Sequence, residues 1–465
     1  MSPYAKKVLE ELGLVSLYRS STDVKLLCLQ RFVRLFAYGA STLVLVLFLQ
    51  ALGVSKSRIG LFMTLTLAGD VCISFLLTLV ADGVGRKTIL AAGAALMALS
   101  GIVFATFDNY FVLLAAAVLG VVSPSGNEIG PFRAIEESVV AHLTDEAVRS
   151  DIYAWYSFVG TAGAACGMIT CGWTVQYLSS VRHWALVDAY RFVFVAYAVL
   201  GVVKLVLSVL LSGAVEADAE PGEARPLLEE DRPDSPSQKP RTGRISGALR
   251  GLLPRISQES TSIVTVLCLL FGLDSFASGL APLSWVTYFF RSRYDIEEGK
   301  LGSIFFVTSI IAAASMILAS SLAKRFGNVK TMVFTHLPSA VFLALIPIPN
   351  EVHASLAFLV LRACTQSMDV APRSAFLAAI VRPEERTAVM GTVNVVKTMA
   401  QSTGPFITGV LAERDYFWVS FVCAGSLKAC YDLGLLAVFK NRERTERRGR
   451  DGAREEADEN EEATA

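Results

Sequence analysis

Charged residues and helix breakers follow an apolar stretch near residue 128. The run "YFVLLAAAVLGVV" at 110–122 leads into "SPSGNEIGPFRAIEES" at 123–138, which holds Glu128, Arg133, Glu136 and Glu137 among two prolines and two glycines. A carboxylate placed between an apolar environment and a basic neighbour can titrate near neutral pH. Irregular backbone at membrane depth survives only where it lines a cavity or packs in protein. Glu128 therefore has the surroundings expected of a proton-exchanging group.

The composition is that of a chain that crosses a membrane many times. Of 465 residues, 53% are apolar and 18% are charged, whereas soluble globular chains carry about 45–50% and about 25%. A membrane helix needs about 20 mainly apolar residues. Twelve runs meet this need, and we number them as spans 1 to 12: 26–52, 59–81, 88–107, 110–140, 151–176, 186–212, 259–290, 301–322, 331–349, 353–381, 387–411 and 415–439. The sequence predicts an all-α polytopic membrane protein, because a large soluble helical protein has no use for twelve such runs.

Net charge, cysteine spacing and motifs disfavour several function classes. The net charge is zero, so composition gives no sign of nucleic acid binding. The eight cysteines all lie inside the apolar runs without the close pairs typical of metal or redox sites, and we interpret them as small buried hydrophobes. Neither a nucleophile–base cluster nor a nucleotide-binding glycine loop is recognisable, so we expect neither an enzyme, nor a cofactor, nor direct use of ATP.

Lysine and arginine predict the orientation. With an even number of spans and both ends in the cytoplasm, 26 of these residues face inward and seven lie in the opposite loops. The positive-inside rule favours this arrangement, although the short loops alone are nearly balanced at eight against seven. We expect the plasma membrane as the location by default. The pattern "EARPLL" at 223–228 fits an acidic dileucine sorting signal, which leaves a vacuolar or lysosomal membrane open.

The two halves of the chain are related by an internal duplication. "LCLQRFVRLFAYG" at 27–39 matches "LCLLFGLDSFASG" at 267–279 without a gap, and Pro131 matches Pro372 at nearly the same offset. Two repeats in the same orientation are an architecture of secondary transporters, whose sites lie near the bilayer midplane between the halves. We therefore predict five parts: a cytoplasmic segment 1–25, a six-helix bundle 26–212, a disordered cytoplasmic linker 213–258, a second six-helix bundle 259–439 and a charged tail 440–465.

A loop between spans 2 and 3 carries a family motif. "ADGVGRK" at 81–87 resembles the major facilitator superfamily pattern Gly-x-x-x-Asp-x-x-Gly-Arg-Lys, with Thr78 in place of the first glycine. The matching residues are Asp82, Gly85, Arg86 and Lys87. The second half has a degenerate copy, "AKRFGNVK" at 323–330, with Lys324, Arg325 and Gly327. The resemblance covers about 30–440. It implies that spans 1, 4, 7 and 10 line a central cavity and that Asp82 stabilises one conformational state.

The intramembrane charges agree with the cavity that the resemblance implies. A Lys, Arg or Asp at a helix centre costs roughly 2.5–3.5 kcal/mol, so such residues should face protein or water. The residues in these four spans that we assign to a substrate or coupling cavity are Arg31, Arg34, Glu128, Arg133, Asp274, Arg362, Asp369 and Arg373. Basic residues outnumber acids in this set, which favours a polar, anionic solute over the cations of a drug/H⁺ antiporter.

Spacing suggests how some of these charges pair. Arg34 and Asp274 occupy equivalent positions in the repeats, so they meet across the symmetry axis if both point inward, either as a fixed pair or as one remade during transport. Asp369 and Arg373 are four residues apart on one helix and can neutralise each other. Glu128 is less firmly paired. We therefore predict Glu128 as the proton-coupling acid and Asp369 as an organiser of the substrate site.

Other charges have simpler expected roles. Lys428 and Asp432 are four apart on span 12 and are predicted to form a structural pair. Glu136 and Glu137 are expected to partner the basic loop residues Arg86 and Lys87, and His336, beside Pro338, is expected to be structural.

The sequence thus predicts a secondary active transporter of small molecules that works by alternating access. A proton gradient is its default energy source, the lipid bilayer is its surroundings, and we expect a monomer. One alternative is a drug/H⁺ antiporter-type exporter. The other is a non-transporting receptor or scaffold on the same fold, whose partners would bind the linker and the acidic tail.

Overall fold

The computed structural model describes residues 14–120, 122, 131–216, 258–381 and 385–439, and within these the regular elements are helices. A short helix, Leu14–Arg19, precedes span 1. Ser21 caps the first turn of span 1, because its hydroxyl accepts a hydrogen bond from the backbone N–H of Val24 at 3.3 Å. Glu128 and the rest of segment 123–130 lie outside the described residues, as do the predicted tail and most of the predicted linker.

Helices occupy all twelve predicted spans. In the first half they are Thr22–Ala51 (span 1), Lys56–Val84 (span 2), Arg86–Thr106 (span 3), Tyr110–Leu119 with Pro131–His142 (span 4), Glu146–Gln176 (span 5) and Leu186–Val209 (span 6). In the second half they are Gln258–Leu280 with Leu283–Tyr294 (span 7), Glu298–Phe326 (span 8), Asn328–Leu345 (span 9), Val352–Thr365 with Val370–Ile380 (span 10), Arg386–Glu413 (span 11) and Phe417–Phe439 (span 12). Seven helices in the described part are by themselves long and apolar enough to cross a membrane.

Spans 7 and 10 are broken helices. In span 7 the first helix ends at Leu280 and the second begins after Pro282. Proline has no backbone N–H, so it cannot donate the hydrogen bond that would continue the first helix. Span 10 is interrupted by turns over 366–369, just where Gln366 and Asp369 carry polar side chains. Such breaks are tolerated at membrane depth where the backbone lines a cavity.

In the described part of the chain the most extensive contacts between the halves run along two pairs of helices, and the second helix of span 7 also packs on span 1. Span 2 packs on span 11 and span 5 packs on span 8, whereas spans 1 and 5, 3 and 6, and 7 and 11 pack within their own halves. We call the end of the bundle that carries the loops 52–55 and 414–416 the far end, and the opposite end the near end. The predicted orientation places the far end outside the cell.

The apolar core is shared at the far end and divided at the near end. The largest buried cluster combines Phe48 and Phe194 of the first half with Trp285 and Phe421 of the second. Two smaller clusters follow, and each belongs to one half: Val24 and Val139 lie in one, Phe271 and Val389 in the other. The halves are therefore joined at the far end, while each has a core of its own toward the near end.

Candidate functional site

A cavity of about 530 Å³ lies between the two halves. Spans 1 and 5 supply its wall from the first half, and spans 7 to 12 supply the rest. Its polar lining includes Arg31, Thr161, Asp274, Ser278, His336, Arg362, Gln366, Asp369, Arg373, Gln401 and Lys428. Five of the eight predicted cavity residues therefore line one space: Arg31, Asp274, Arg362, Asp369 and Arg373.

The other three predicted cavity residues have different outcomes. Arg34 is buried, with 3% of its surface exposed, and does not line the cavity. Arg133 lies on the helix Pro131–His142, but its side chain is not among those described. Glu128 lies outside the described residues, so its predicted place in the cavity stays a prediction.

Asp274 is the centre of an ionic cluster in the second half. Its carboxylate is 4% exposed and lies 2.6 Å from Nζ of Lys428 and 3.4 Å from Nη2 of Arg373. Lys428 also donates a hydrogen bond to the hydroxyl of Ser278 at 2.8 Å. Arg373 forms an ion pair with Asp369 one turn earlier, as the spacing of four predicts. Spans 7, 10 and 12 are thus tied together by charges beside the cavity.

His336 connects this cluster to a second carboxylate. Its Nδ1 lies 3.0 Å from both carboxylate oxygens of Asp432, which is fully buried. Its Nε2 lies 3.9 Å from Oδ1 of Asp274. Span 9 therefore places an imidazole between a cavity carboxylate and one that lies behind the wall.

Arg362 differs from the other basic residues of the lining. It makes no hydrogen bond or ion pair with another side chain in the described part of the chain, and its Nε is buried without a hydrogen-bond partner. Among the described residues, the lining carries four cationic side chains, Arg31, Arg362, Arg373 and Lys428, against the two carboxylates Asp274 and Asp369. The site therefore has an excess of positive charge and one guanidinium that no described carboxylate neutralises.

A separate cluster in the first half surrounds Glu136. This carboxylate is fully buried and lies 2.7 Å from Nη2 of Arg34 and 3.5 Å from Nζ of Lys204. The hydroxyl of Tyr156 donates to it, and the guanidinium of Arg31 lies over the Tyr156 ring at 4.1 Å. Spans 1, 4, 5 and 6 meet at this one carboxylate, and Arg31 extends from the group into the cavity.

Two predicted pairings of intramembrane charges are wrong. Arg34 pairs with Glu136 and Asp274 pairs with Lys428 and Arg373, so the cross-axis pair between Arg34 and Asp274 is not formed. Lys428 and Asp432 do not neutralise each other, because each has a partner on another helix.

Glu136 also does not partner the loop between spans 2 and 3. The carboxylate there is Glu216, which accepts hydrogen bonds from the backbone N–H of Arg86 at 2.7 Å and of Lys87 at 3.1 Å. It thereby caps the first turn of span 3, where a negative charge is favourable.

The loop motif and its second-half copy share a backbone conformation. Gly85 has φ 94° and Gly327 has φ 92°, a region that side chains with a Cβ rarely adopt. Both glycines lie directly before a helix, Arg86–Thr106 or Asn328–Leu345. Arg325 is exposed, and the side chains of Asp82 and Lys324 are not among those described. The duplication seen in the sequence is thus present in the local backbone.

Polar contacts join the halves at the far end. The backbone N–H of Ser57 donates to Glu413 at 2.7 Å, and Nε2 of Gln176 donates to Glu297 at 2.7 Å. The hydroxyl of Tyr190 lies 3.2 Å from Oε1 of Glu298. Together with the shared core, these contacts hold the far end closed over the cavity.

Two six-helix halves around a central polar cavity define an integral membrane protein with the architecture of a secondary transporter. The family model of the Major Facilitator Superfamily matches residues 27–283 and 267–461, so the chain belongs to this superfamily. The membership predicted from the loop motif is confirmed.

Relatives and solved structures agree with this membership. The chain is 38% identical over 439 residues to the Saccharomyces cerevisiae "Uncharacterized membrane protein YJR124C", covering 90% of this chain and 94% of that one. The nucleoside transporter NupG superposes with a TM-score of 0.66 at 13% identity, covering 90% of this chain and 100% of NupG. The human organic anion transporter MFSD10 gives 0.59 at 17%, covering 89% of this chain and 100% of MFSD10. A D-xylose-proton symporter gives 0.66 at 14%, covering 89% of this chain and 96% of that one. These similarities to solved structures establish the fold.

Proposed function

We propose that this protein is a secondary active transporter that moves a small, polar, anionic solute across a membrane by alternating access, coupled to protons. The observation that carries the proposal is the charge of the cavity, where Arg362 has no described carboxylate partner and Arg31 lines the same space from the other half. A guanidinium donates paired hydrogen bonds that match a carboxylate or a phosphate. An anion between the halves would satisfy charges from both of them at once.

The division of the apolar core supports alternating access. Because the halves share a core only at the far end, rocking them about the cavity would separate the far-end contacts and bring the near ends together. The chain as described corresponds to the state with the far end closed. Under the predicted orientation, the cavity in that state exchanges solute with the cytoplasm.

The solved neighbours are compatible with this solute class without defining it. Their titles name a nucleoside transporter, an organic anion transporter and a sugar–proton symporter. The excess of cationic side chains in the cavity favours an anion, and it disfavours the cationic solutes of a drug exporter. A scaffold on the same fold is also disfavoured, because a protein that moves nothing has no use for charges that cost several kcal/mol to bury.

The test is a transport screen with purified protein in proteoliposomes. Radiolabelled inorganic phosphate, a monocarboxylate and a dicarboxylate are compared with a cationic dye, each under an imposed pH gradient and with a protonophore. We expect one of the anions to accumulate, and the protonophore to stop its accumulation. Accumulation of the dye alone would overturn the anionic assignment.

Arg362→Gln should raise the half-saturating concentration of that anion by about tenfold or more, since a hydrogen bond to a charged group contributes about 1.5–3 kcal/mol. Arg362→Lys should restore part of the affinity. The matched control is Arg182→Gln, because Arg182 is exposed in the loop that follows span 5. Equal half-saturation in Arg362→Gln and Arg182→Gln would remove Arg362 from the binding site.

Glu128 stays our prediction for a coupling acid in the first half. Glu128→Gln should abolish uphill transport driven by a pH gradient while allowing counterflow exchange, because exchange needs binding and movement but no net proton transfer. Accumulation of the anion against its gradient by Glu128→Gln would place the coupling group elsewhere in the chain.

A further inference from the structure

His336 lies between the cavity and a buried acid. It belongs to the cavity lining and is 4% exposed, while Asp432 behind it is fully buried. The two side chains come from spans 9 and 12, and Nδ1 lies 3.0 Å from each carboxylate oxygen. One ring nitrogen, Nδ1, therefore contacts the Asp432 carboxylate, and the other, Nε2, is directed toward the cavity.

The contact with Asp432 determines where the ring proton lies. When Asp432 is ionised, its carboxylate only accepts hydrogen bonds, so Nδ1 carries the hydrogen. In the neutral ring Nε2 is then an acceptor, and it lies on the side of Asp274, which also lines the cavity. The Nε2 atom is therefore able to take a second proton from the cavity.

The charged groups around His336 form a balanced set. The carboxylates are Asp432 on span 12, Asp274 on span 7 and Asp369 on span 10. The cations are Lys428, Arg373 and Lys397, the last lying 5.8 Å from the Phe271 ring centroid. The ring of Tyr431 packs edge-on against the imidazole at 5.9 Å. Arg362 and Arg31 lie elsewhere in the same lining, and within this cluster three acids accompany three cations, so a proton on His336 adds one positive charge to it.

We infer that the His336–Asp432 pair is a proton-binding site in the second half of this cavity, and that the solute anion binds more tightly when His336 is protonated. The step is a simple transfer, in which a hydronium ion in the cavity gives one proton to Nε2, a new N–H bond forms and water is left behind. The inference rests on the proposed function, because it names a coupling site for the proposed transport in addition to Glu128 of the first half.

The geometry supplies a reason for cooperative binding of the proton and the anion. The imidazolium would turn its new Nε2–H toward Asp274, now 3.9 Å away, in competition with Lys428 and Arg373. Asp274 would then neutralise Lys428 and Arg373 less, and their positive charge would attract an anion in the cavity. By linkage, the anion must raise the affinity for the proton by the same factor as the proton raises the affinity for the anion.

The proton site can be measured directly, without a solute, by NMR of the full-length protein labelled with ¹⁵N-histidine. The chain has four histidines, so His336→Gln identifies the His336 signal by its loss. We expect an Nδ1–H tautomer at about pH 8 and a ring with both nitrogens protonated at about pH 5, the interval in which histidine usually changes charge. In Asp432→Asn the second proton should bind only at a lower pH, since the imidazolium has lost its anionic partner.

The proposal is overturned if His336 keeps one protonation state over this interval, or if Asp432→Asn leaves its titration unchanged. His353→Gln is the control, because His353 is exposed at the start of span 10 and its removal should leave the His336 signal unaltered. Asp432→Asn also keeps the inference testable if His336→Gln does not fold.

Transport separates this inference from the proposed function. With the anion found in the screen, the wild type should bind about tenfold more tightly at pH 5.5 than at pH 7.5, within the range usual for coupled sites. His336→Gln should lose this pH dependence and still exchange the anion. If the wild type carries no anion, the proposed function fails while the NMR result stands. If His336→Gln still accumulates the anion as the wild type does, the function holds and the coupling site lies elsewhere, with Glu128 the next acid to test.

Discussion

Nη2 of Arg34 on span 1 lies 2.7 Å from Oε2 of Glu136 on span 4. The carboxylate is fully buried and Arg34 is 3% exposed. Oε1 of the same carboxylate lies 3.5 Å from Nζ of Lys204 on span 6. One acid therefore holds cations from two other helices of the first half, and the pair helps fix how these helices pack.

Glu136→Gln should destabilise the first half. It leaves Arg34 and Lys204 buried beside a neutral amide, and removing one partner of a buried pair costs about 3–5 kcal/mol. Thermal unfolding in detergent, followed by the loss of helical circular dichroism, measures the effect. Glu351→Gln is the matched control, since Glu351 is exposed before span 10. A Glu136→Gln protein that melts with the control would show that this carboxylate does not hold the helices together.

Exchanging the charges of Arg34 and Asp274 should not rescue either single change. Each residue has its partners in its own half, so Arg34→Asp and Asp274→Arg each place a like charge among existing neighbours. We expect the double variant to express no better than the poorer single variant. Recovery of expression would mean that the two residues meet in another state of the transport cycle.

The pair that is predicted correctly, Asp369 with Arg373, is one determined within a single helix. Asp369 and Arg373 are four residues apart, and helical geometry alone brings them together. The same spacing misleads for Lys428 and Asp432, because both are buried and other helices offer them Asp274 and His336. Spacing within a helix cannot predict such partners, since they depend on how each helix is rotated against its neighbours.

His336 and Glu136 show the same limit. The position of His336 beside Pro338 favours a structural role, and only the fold shows that this histidine lines the cavity. Glu136 was assigned to the loop residues Arg86 and Lys87 because they are near in the predicted topology, but Glu216 from the end of the first half lies there instead. The sequence feature that points to such buried partners is a charge within an otherwise apolar span, such as Lys204 in span 6.

Asp82→Asn should slow transport without unfolding the protein. The family resemblance assigns this residue to one conformational state, at the near ends of spans 2 and 11, and asparagine keeps the size of the side chain while removing its charge. Initial rates of anion exchange in proteoliposomes, scaled to the amount of inserted protein, measure the effect. Asp145→Asn serves as control, because Asp145 is exposed in the loop before span 5. Equal rates in the two variants would count against a role for the loop motif.

Gly409→Ala should open the far end. A Cβ atom at Gly409 would lie 2.5 Å from the backbone oxygen of Lys56, so spans 11 and 2 would have to move apart. Overpacking of this kind costs typically about 1–3 kcal/mol, and the cost falls only on the state in which these helices touch. The closed far end should therefore become less populated.

The measurement is the rate at which a thiol reagent labels Thr64→Cys, in a background where the eight native cysteines are replaced by alanine. Thr64 is suited to this purpose because its hydroxyl accepts a hydrogen bond from the backbone N–H of Phe406 across the two halves. We expect labelling about tenfold faster with Gly409→Ala, which corresponds to about 1.4 kcal/mol. Gly391→Ala lies on the same span with no heavy atom within 4 Å of its added Cβ, and it should label at the background rate. Equal labelling in the two alanine variants would show that the contact between spans 2 and 11 does not control opening of the far end.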